Sequence, residues 1–154
     1  MAAASDAEAL AGFNAAMALE TERKVLLADV IRAGVQHLLG HPEMGFYVIA
    51  ESGGEAAGAL MVTNEWSDWR NGNFWWIQSV YVRPEFRRRG VYRQLYQWLH
   101  ARAAKDRSVC GFRLYVERDN VRAQSTYRTS GMDETRYIVF EELKPGIRFY
   151  EPGT

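Results

Sequence analysis

Between Phe74 and Arg93 the chain reads FWWIQSVYVRPEFRRRGVYR, and this run constrains the fold more than any other. Phe74 to Val82 is rich in aromatic and β-branched residues, which suits a central strand. Pro84 closes the strand, because proline has no N–H to give a ladder. A turn of Arg87, Arg88, Arg89 and Gly90 follows. Val91, Leu95, Trp98 and Leu99 then recur at helical spacing, predicting an amphipathic helix from Val91 to Ala104. A strand that turns directly into a helix requires a sheet with helices laid against it.

The rest of the chain fits that frame. Residues 5–39 read as helical, with Ser5 and Asp6 as candidate N-caps. Leu10, Phe13 and Met17 form one apolar stripe, and Val25, Leu26, Val30, Ile31 and Leu38 a second. Gly34 weakens the second stripe and Gly40-His41-Pro42 ends it. Phe46 to Ala50 is expected to be a strand, Gly53-Gly54 a hairpin turn and Ala57 to Thr63 its partner. Asn64 to Asn73 (NEWSDWRNGN) reads as a polar loop bearing Trp66 and Trp69. Phe112 to Val116 is a further strand. Asn120 is placed to cap a short helix from Val121 to Thr129, with Gly131 just beyond it. Tyr137 to Leu143 is the expected last strand. The order implies one domain, a mixed α/β or α+β sandwich around a single sheet.

Composition excludes several classes of function. Lys plus Arg and Asp plus Glu both total 19, so no global field draws in nucleic acid or an anionic membrane. No apolar run approaches the ~20 residues that span a bilayer, and the first residues lack the pattern of a signal peptide. Cys110 is the only cysteine, which rules out an intrachain disulfide or a zinc cluster and suits a reducing, cytoplasmic setting. His37, His41 and His100 have no ligand spacing, so no metal is expected. The chain has neither GxxxxGK[ST] nor GxGxxG, which argues against nucleoside triphosphates and dinucleotides.

What remains is an anion site of another kind. A helix N-terminus offers N–H groups without intrahelical acceptors and a partial positive charge. Gly90 allows close backbone approach, and the neighbouring arginines add charge-assisted bonds. Strand, Arg-Gly turn and helix together suit a pyrophosphate.

At this point the sequence resembles the GNAT acetyltransferases. Their strand, often V-x-V-x-P, precedes [QR]-x-x-G-x-[GA] at a helix start. Val80-Tyr81-Val82-Arg83-Pro84 and Arg87-Arg88-Arg89-Gly90-Val91 match, whereas Tyr92 stands where Gly or Ala is usual. Downstream, Leu114-Tyr115-Val116, Asn120, Ala123, Tyr127, Gly131 and Met132 are similar to the family's strand and N-x-x-A-x-x-x-Y-x-x-x-G-[FM]. The resemblance covers about residues 44–143.

The resemblance implies a mostly antiparallel mixed sheet with a splayed parallel strand pair, flanked by helices. The first family strand is expected to be missing or vestigial, with the sheet starting near Phe46. Acetyl-CoA is the implied co-substrate. Its pantetheine would bond to Val80, Tyr81 and Val82, and a strand N–H near Val80 or Tyr81 would stabilise an oxyanion. The pyrophosphate would sit on the turn and helix start, Arg87, Arg88, Arg89, Gly90, Val91, Tyr92 and Arg93, with Asn120 facing the cofactor. The Tyr92 ring must then point away from the phosphates. Tyr127 would protonate the departing thiolate.

Diamine-acetylating members of the family carry a Glu where this chain has Gln78. Deprotonating an alkylammonium at pH 7 costs about 4 to 5 kcal/mol. Candidate bases are Glu20, Glu22, Glu65, Asp68 and Glu117, with ordered water as the alternative. Trp66, Asp68 and Trp69 suit either an acceptor wall with cation–π character or a structural staple. The implied reaction is transfer to the amine of a small molecule. A protein N-terminus or lysine, and a non-catalytic CoA-binding module, are the alternatives. A homodimer through the last strand or the tail Ile147 to Tyr150 is expected, since Tyr137-Ile138-Val139-Phe140 suits an exposed edge.

Overall fold

In the computed structural model, which describes residues 1–151, the chain enters helix almost at once. A 3-10 turn, Ala4–Asp6, runs into α1, Ala7–Glu22. Asp6 occupies the N-cap position, but its carboxylate accepts from Ala3 N–H at 2.7 Å and not from the helix. Ala2 N–H donates to Tyr47 O at 2.9 Å, tying the N-terminus to the sheet without forming a strand of it.

The helical stretch expected over residues 5–39 is divided in two. Arg23 adopts the left-handed conformation, φ 55°, and ends α1. The second helix, α2, is Ala28–Gly40. Val25 and Leu26, read from the sequence as part of a helical stripe, lie in extended backbone instead. Leu27 N–H donates to Phe149 O and Glu151 N–H to Val25 O, both at 2.9 Å, making an antiparallel bridge between Leu26 and Tyr150. The tail is thus held on its own chain, and the Lys24 ammonium lies over the rings of both Phe149 and Tyr150.

Four strands form the sheet in the order β1, Gly45–Ser52; β2, Glu55–Ser67; β3, Gly72–Val82; β4, Val109–Arg113. The first two pairings are antiparallel and the third is parallel. Gly53 and Gly54, at φ 62° and 82°, turn β1 into β2 as a tight hairpin requires. The expected loop over residues 64–73 is largely strand. Asn64, Glu65, Trp66 and Ser67 pair with Trp75, Phe74, Asn73 and Gly72, leaving a 3-10 turn at Asp68–Arg70. Cross-strand hydrogen bonding overrides the low strand propensity of those polar residues.

Strand alternation gives the sheet two faces. Tyr47, Ala59 and, half-buried, Ile49 and Met61 pack with Leu10, Ala11, Val35 and Leu38 of α1 and α2. The other face carries Phe46, Trp75 and Phe112, met by Tyr96, His100 and Arg102 of α3, Val91–Ala103. The i, i+4, i+8 residues Val91, Leu95 and Leu99 are all buried.

Leu114 to Arg148 make a separate unit. It contains α4, Val121–Thr129, capped by Asn120 Oδ1 accepting from Ala123 N–H at 3.1 Å. Gly131, φ 88°, follows its end, and Met132 N–H returns to Tyr127 O at 3.1 Å. Two sequence expectations fail around it. Strand structure ends at Arg113, so Leu114 to Val116 lie outside the ladder, and Tyr137 to Leu143 form no strand. Tyr137, Ile138, Val139 and Phe140 are 79, 62, 72 and 88% exposed. High β propensity yields a strand only where a neighbouring edge takes up its backbone groups.

Candidate active site

The end of β3 is irregular where it leaves the sheet. Met61 pairs with Gln78 but Ala59 with Tyr81, so β3 carries one more residue than β2 in this interval. Ser79, inside that interval, has φ 50°. A bulge of this kind bends the strand and re-aims its groups. Gly58 makes room for it: a Cβ there would stand 2.7 Å from Tyr81 O. Pairing of β3 with β4 ends at Trp76 and Arg113. From Ile77 to Val82, therefore, β3 has no ladder partner on its β4 side among the described residues.

A second feature adjoins this one. After Val82 a 3-10 turn, Pro84–Phe86, buries the Phe86 ring, over which Arg83 and Arg89 lie. Arg88 and Gly90 both have positive φ, 62° and 78°. Gly90 is the N-cap of α3, and Gln94 N–H makes the first intrahelical bond, to Gly90 O at 3.0 Å. No side chain caps this helix and its first turn holds no acidic residue. Nothing lies within 4 Å of where a Gly90 Cβ would be. The helix dipole thus opens onto an accessible, glycine-lined turn flanked by exposed Arg88, Arg89 and Arg93. These residues fit a polyphosphate. Val91 is buried and anchors the helix, while the Tyr92 ring stacks on Tyr96 one turn later at 5.9 Å.

Arg87 is drawn elsewhere. Its Nε–H donates to Val82 O at 2.8 Å and its terminal nitrogen to Glu20 Oε2 at 2.7 Å. Tyr81 OH donates to the other Glu20 oxygen at 3.3 Å. Burial, and then the Glu20 carboxylate, raise the Tyr81 phenol above its ordinary pKa. Glu20 therefore braces the strand end and the turn against α1. Both partners are more than a third exposed, so the pair contributes at most about 1 kcal/mol, and its effect is chiefly positional.

The other residues singled out from the sequence are more dispersed. Val80 and Val82 are half-buried beside Tyr81 on β3. Gln78 Nε2–H donates to Thr63 Oγ1 at 2.6 Å. Glu22 pairs with Lys24 at 2.6 Å. Asp68 accepts from Trp69 N–H at 2.8 Å, and Trp66 and Trp69 are 59 and 85% exposed. The exposure of Trp69 leaves no room for a staple onto this chain's own core. Glu65 is bonded by Trp76 Nε1–H and by the Arg113 guanidinium. That arrangement could have been anticipated only by extending the alternation of β2 past Thr63.

In the second unit, Tyr127 is half-buried and burial raises its pKa, so the phenol keeps its proton throughout the neutral range. The Asn120 side chain is engaged by its own helix. Glu117 is exposed.

A surface groove of about 520 Å³, lined by Phe46, Trp75, Arg102, Lys105 and Arg107 among others, lies elsewhere. It sits at the C-terminal end of α3, about 20 Å of helix away from Gly90. Basic residues there complement the negative end of the helix dipole. No group of three or more His, Cys, Asp or Glu among the described residues could hold a metal, and no helix is long and apolar enough to cross a membrane.

Comparison with known proteins accords with this geometry. A search of the curated proteins found no match. Among solved structures, a possible acetyltransferase from Clostridium difficile 630 is 41% identical, with a TM-score of 0.86 over 93% of this chain and 94% of that one. An integron cassette protein from the mobile metagenome of Cole Harbour Salt Marsh shares the fold at 22% identity, TM-score 0.81, covering 95% and 90%. The aminoglycoside N-acetyltransferase AAC(6')-Iy, solved in complex with CoA, does so at 18% identity, TM-score 0.75, covering 93% and 91%. The model of the acetyltransferase (GNAT) family matches residues 14–132, and the chain belongs to that family.

Proposed function

We propose that this protein transfers the acetyl group of acetyl-CoA to a primary amine of a small molecule, by direct attack in a ternary complex. One observation carries the reading: the uncapped, acid-free start of α3, opened by left-handed Gly90, follows across one short turn a strand end with no ladder partner on its β4 side among the described residues. Such a juxtaposition offers a phosphate site and an extended backbone site in line. Bound acetyl-CoA supplies an acyl group activated as a thioester. Val80, Tyr81 and Val82 would take the pantetheine through their backbone, and the N–H groups from Arg88 to Arg93 the pyrophosphate. The side chains of Arg88, Arg89 and Arg93 add charge, while Arg87 holds the turn in place. Asn120 is assigned to the cofactor side, and Tyr127, kept protonated by burial, donates its proton to the departing sulfur.

On the acceptor side, Glu20, Glu22, Trp66, Asp68, Trp69 and Gln78 are the residues proposed to meet the amine. A small acceptor is favoured because a related fold, AAC(6')-Iy, was solved with the bisubstrate analog CoA-S-monomethyl-acetylneamine. A cytoplasmic location fits a chain with one cysteine, exposed on an edge strand.

The test compares thermal stabilisation by acetyl-CoA with that by CoA, then follows thiol release across a panel of amines. Stabilisation with amine-dependent thiol release is the expected result. Stabilisation without release from any amine would favour a non-catalytic CoA-binding module, and no stabilisation would overturn both readings.

We further propose a homodimer. The exposed run Tyr137-Ile138-Val139-Phe140 is apolar surface that an isolated chain in water does not cover economically. Light scattering over a dilution series is expected to give twice the chain mass. A monomer at tens of micromolar would refute it.

A further inference from the structure

The face of the sheet under α1 and α2 changes character along β2. Ala59 and Met61 belong to the apolar cluster beneath the helices. At the next two positions of the same alternation stand Thr63 and Glu65. Across the ladder, Gln78 faces Met61, Trp76 faces Thr63, and Phe74 faces Glu65. All these side chains are half-buried. A polar row on a central strand is costly unless its groups are bonded, and here they are. Gln78 donates to Thr63 Oγ1 at 2.6 Å, and Trp76 Nε1–H donates to one Glu65 oxygen while Arg113 donates to the other. The Arg113 guanidinium is itself seated on the Phe74 ring, 3.9 Å from its centroid. On the opposite face Val62, Trp75 and Ile77 are buried.

We infer that this row is the acceptor shelf, and that Glu65 selects amines carrying a second cationic nitrogen. The inference rests on the acetyl-transfer reading and names the acceptor class for it. A carboxylate has about four lone-pair sites; the two bonds above fix its orientation and leave capacity for an ammonium N–H. Thr63 and Gln78 stand on the same face of the sheet, between Glu65 and the bulge at Ser79. Trp76 and Val80 stand four positions apart along β3, about 13 Å before the bulge shortens it. An extended diamine or polyamine would span much of that length. Its distal nitrogen would rest at Glu65 and its reacting nitrogen near Val80. A monoamine could not occupy both ends.

Titration with spermidine and with n-butylamine, read on the tryptophan indole N–H signals in a proton–nitrogen correlation spectrum, tests this without turnover. Trp76→Phe assigns the relevant signal. Spermidine is expected to shift it at a concentration at least tenfold below that needed with n-butylamine. Glu65→Gln, which keeps the shape and a hydrogen-bond acceptor, should abolish the preference. Glu65→Asp, which keeps the charge at shorter reach, should retain part of it and serves if the first variant fails to fold. A spermidine response confined to Trp66 and Trp69, or one at Trp76 unchanged in both variants, would overturn the inference. Stabilisation by acetyl-CoA is measured on the same samples. A stabilised protein with a silent Trp76 refutes the shelf alone, whereas a responsive Trp76 without stabilisation refutes acetyl transfer and leaves the polyamine site standing.

Discussion

Gly90 and Tyr127 illustrate how little chemistry a single residue needs in order to matter. Gly90 contributes a left-handed φ and an absent Cβ. Because nothing lies within 4 Å of the missing atom, Gly90→Val meets only the backbone strain, about 1–2 kcal/mol. The fold should persist while acetyl-CoA affinity, measured by calorimetry, falls at least tenfold; unchanged affinity would displace the phosphate site. Tyr127 is the proposed proton donor. Tyr127→Phe should preserve acetyl-CoA binding and lower kcat by about 10²–10⁴. Burial raises this phenol above the ordinary ~10, so the protonated donor persists as pH rises through that value and is lost only beyond it. A kcat profile should therefore show no alkaline fall below about pH 10 that Tyr127→Phe removes.

Among the elements, β3 with its bulge and α3 with its open end do most to build the site, and the sequence displayed them unevenly. Pro84, Gly90 and the spacing of Val91, Leu95 and Leu99 are local signals, so strand, turn and helix were legible. The bulge was not, since Ser79 at φ 50° gives no compositional sign of it. Its support comes from Gly58, across the ladder. Gly58→Ala would press a Cβ to 2.7 Å from Tyr81 O and 3.2 Å from Val82 Cα, both backbone atoms. A loss of about 1–3 kcal/mol in urea unfolding is expected, together with weaker acetyl-CoA binding, because the displaced segment is the proposed pantetheine strand. A variant with wild-type stability would show that the bulge yields freely. The break at Arg23 was equally hidden: the extended Val25–Leu27 segment answers to Phe149–Glu151, more than a hundred positions away. Tyr137 to Phe140 mark the opposite error, propensity without a partner.

At the scale of the whole molecule, the fold family could be read because it depends on short contiguous motifs. The proposed acceptor row was legible only in part: Glu65 and Gln78 stood out singly, but their meeting with Thr63, Trp76 and Arg113 depends on strand pairing. The bridge between Leu26 and Tyr150 has a different consequence. Three residues sharing two backbone bonds would scarcely hold a free peptide. They hold the tail because the preceding chain tethers it, supplying an effective concentration on the order of millimolar. Closure is tolerant of tether length, each doubling costing only about 0.6 kcal/mol, but it requires the tether to be unbroken. A tryptic cut after the exposed Arg136 should therefore release the tail, and Leu27 N–H, which donates to Phe149 O, should exchange with solvent far faster than in the intact chain. The helical entry to the domain is in this sense latched by the other end of the polypeptide, and a single peptide bond decides whether the latch is closed.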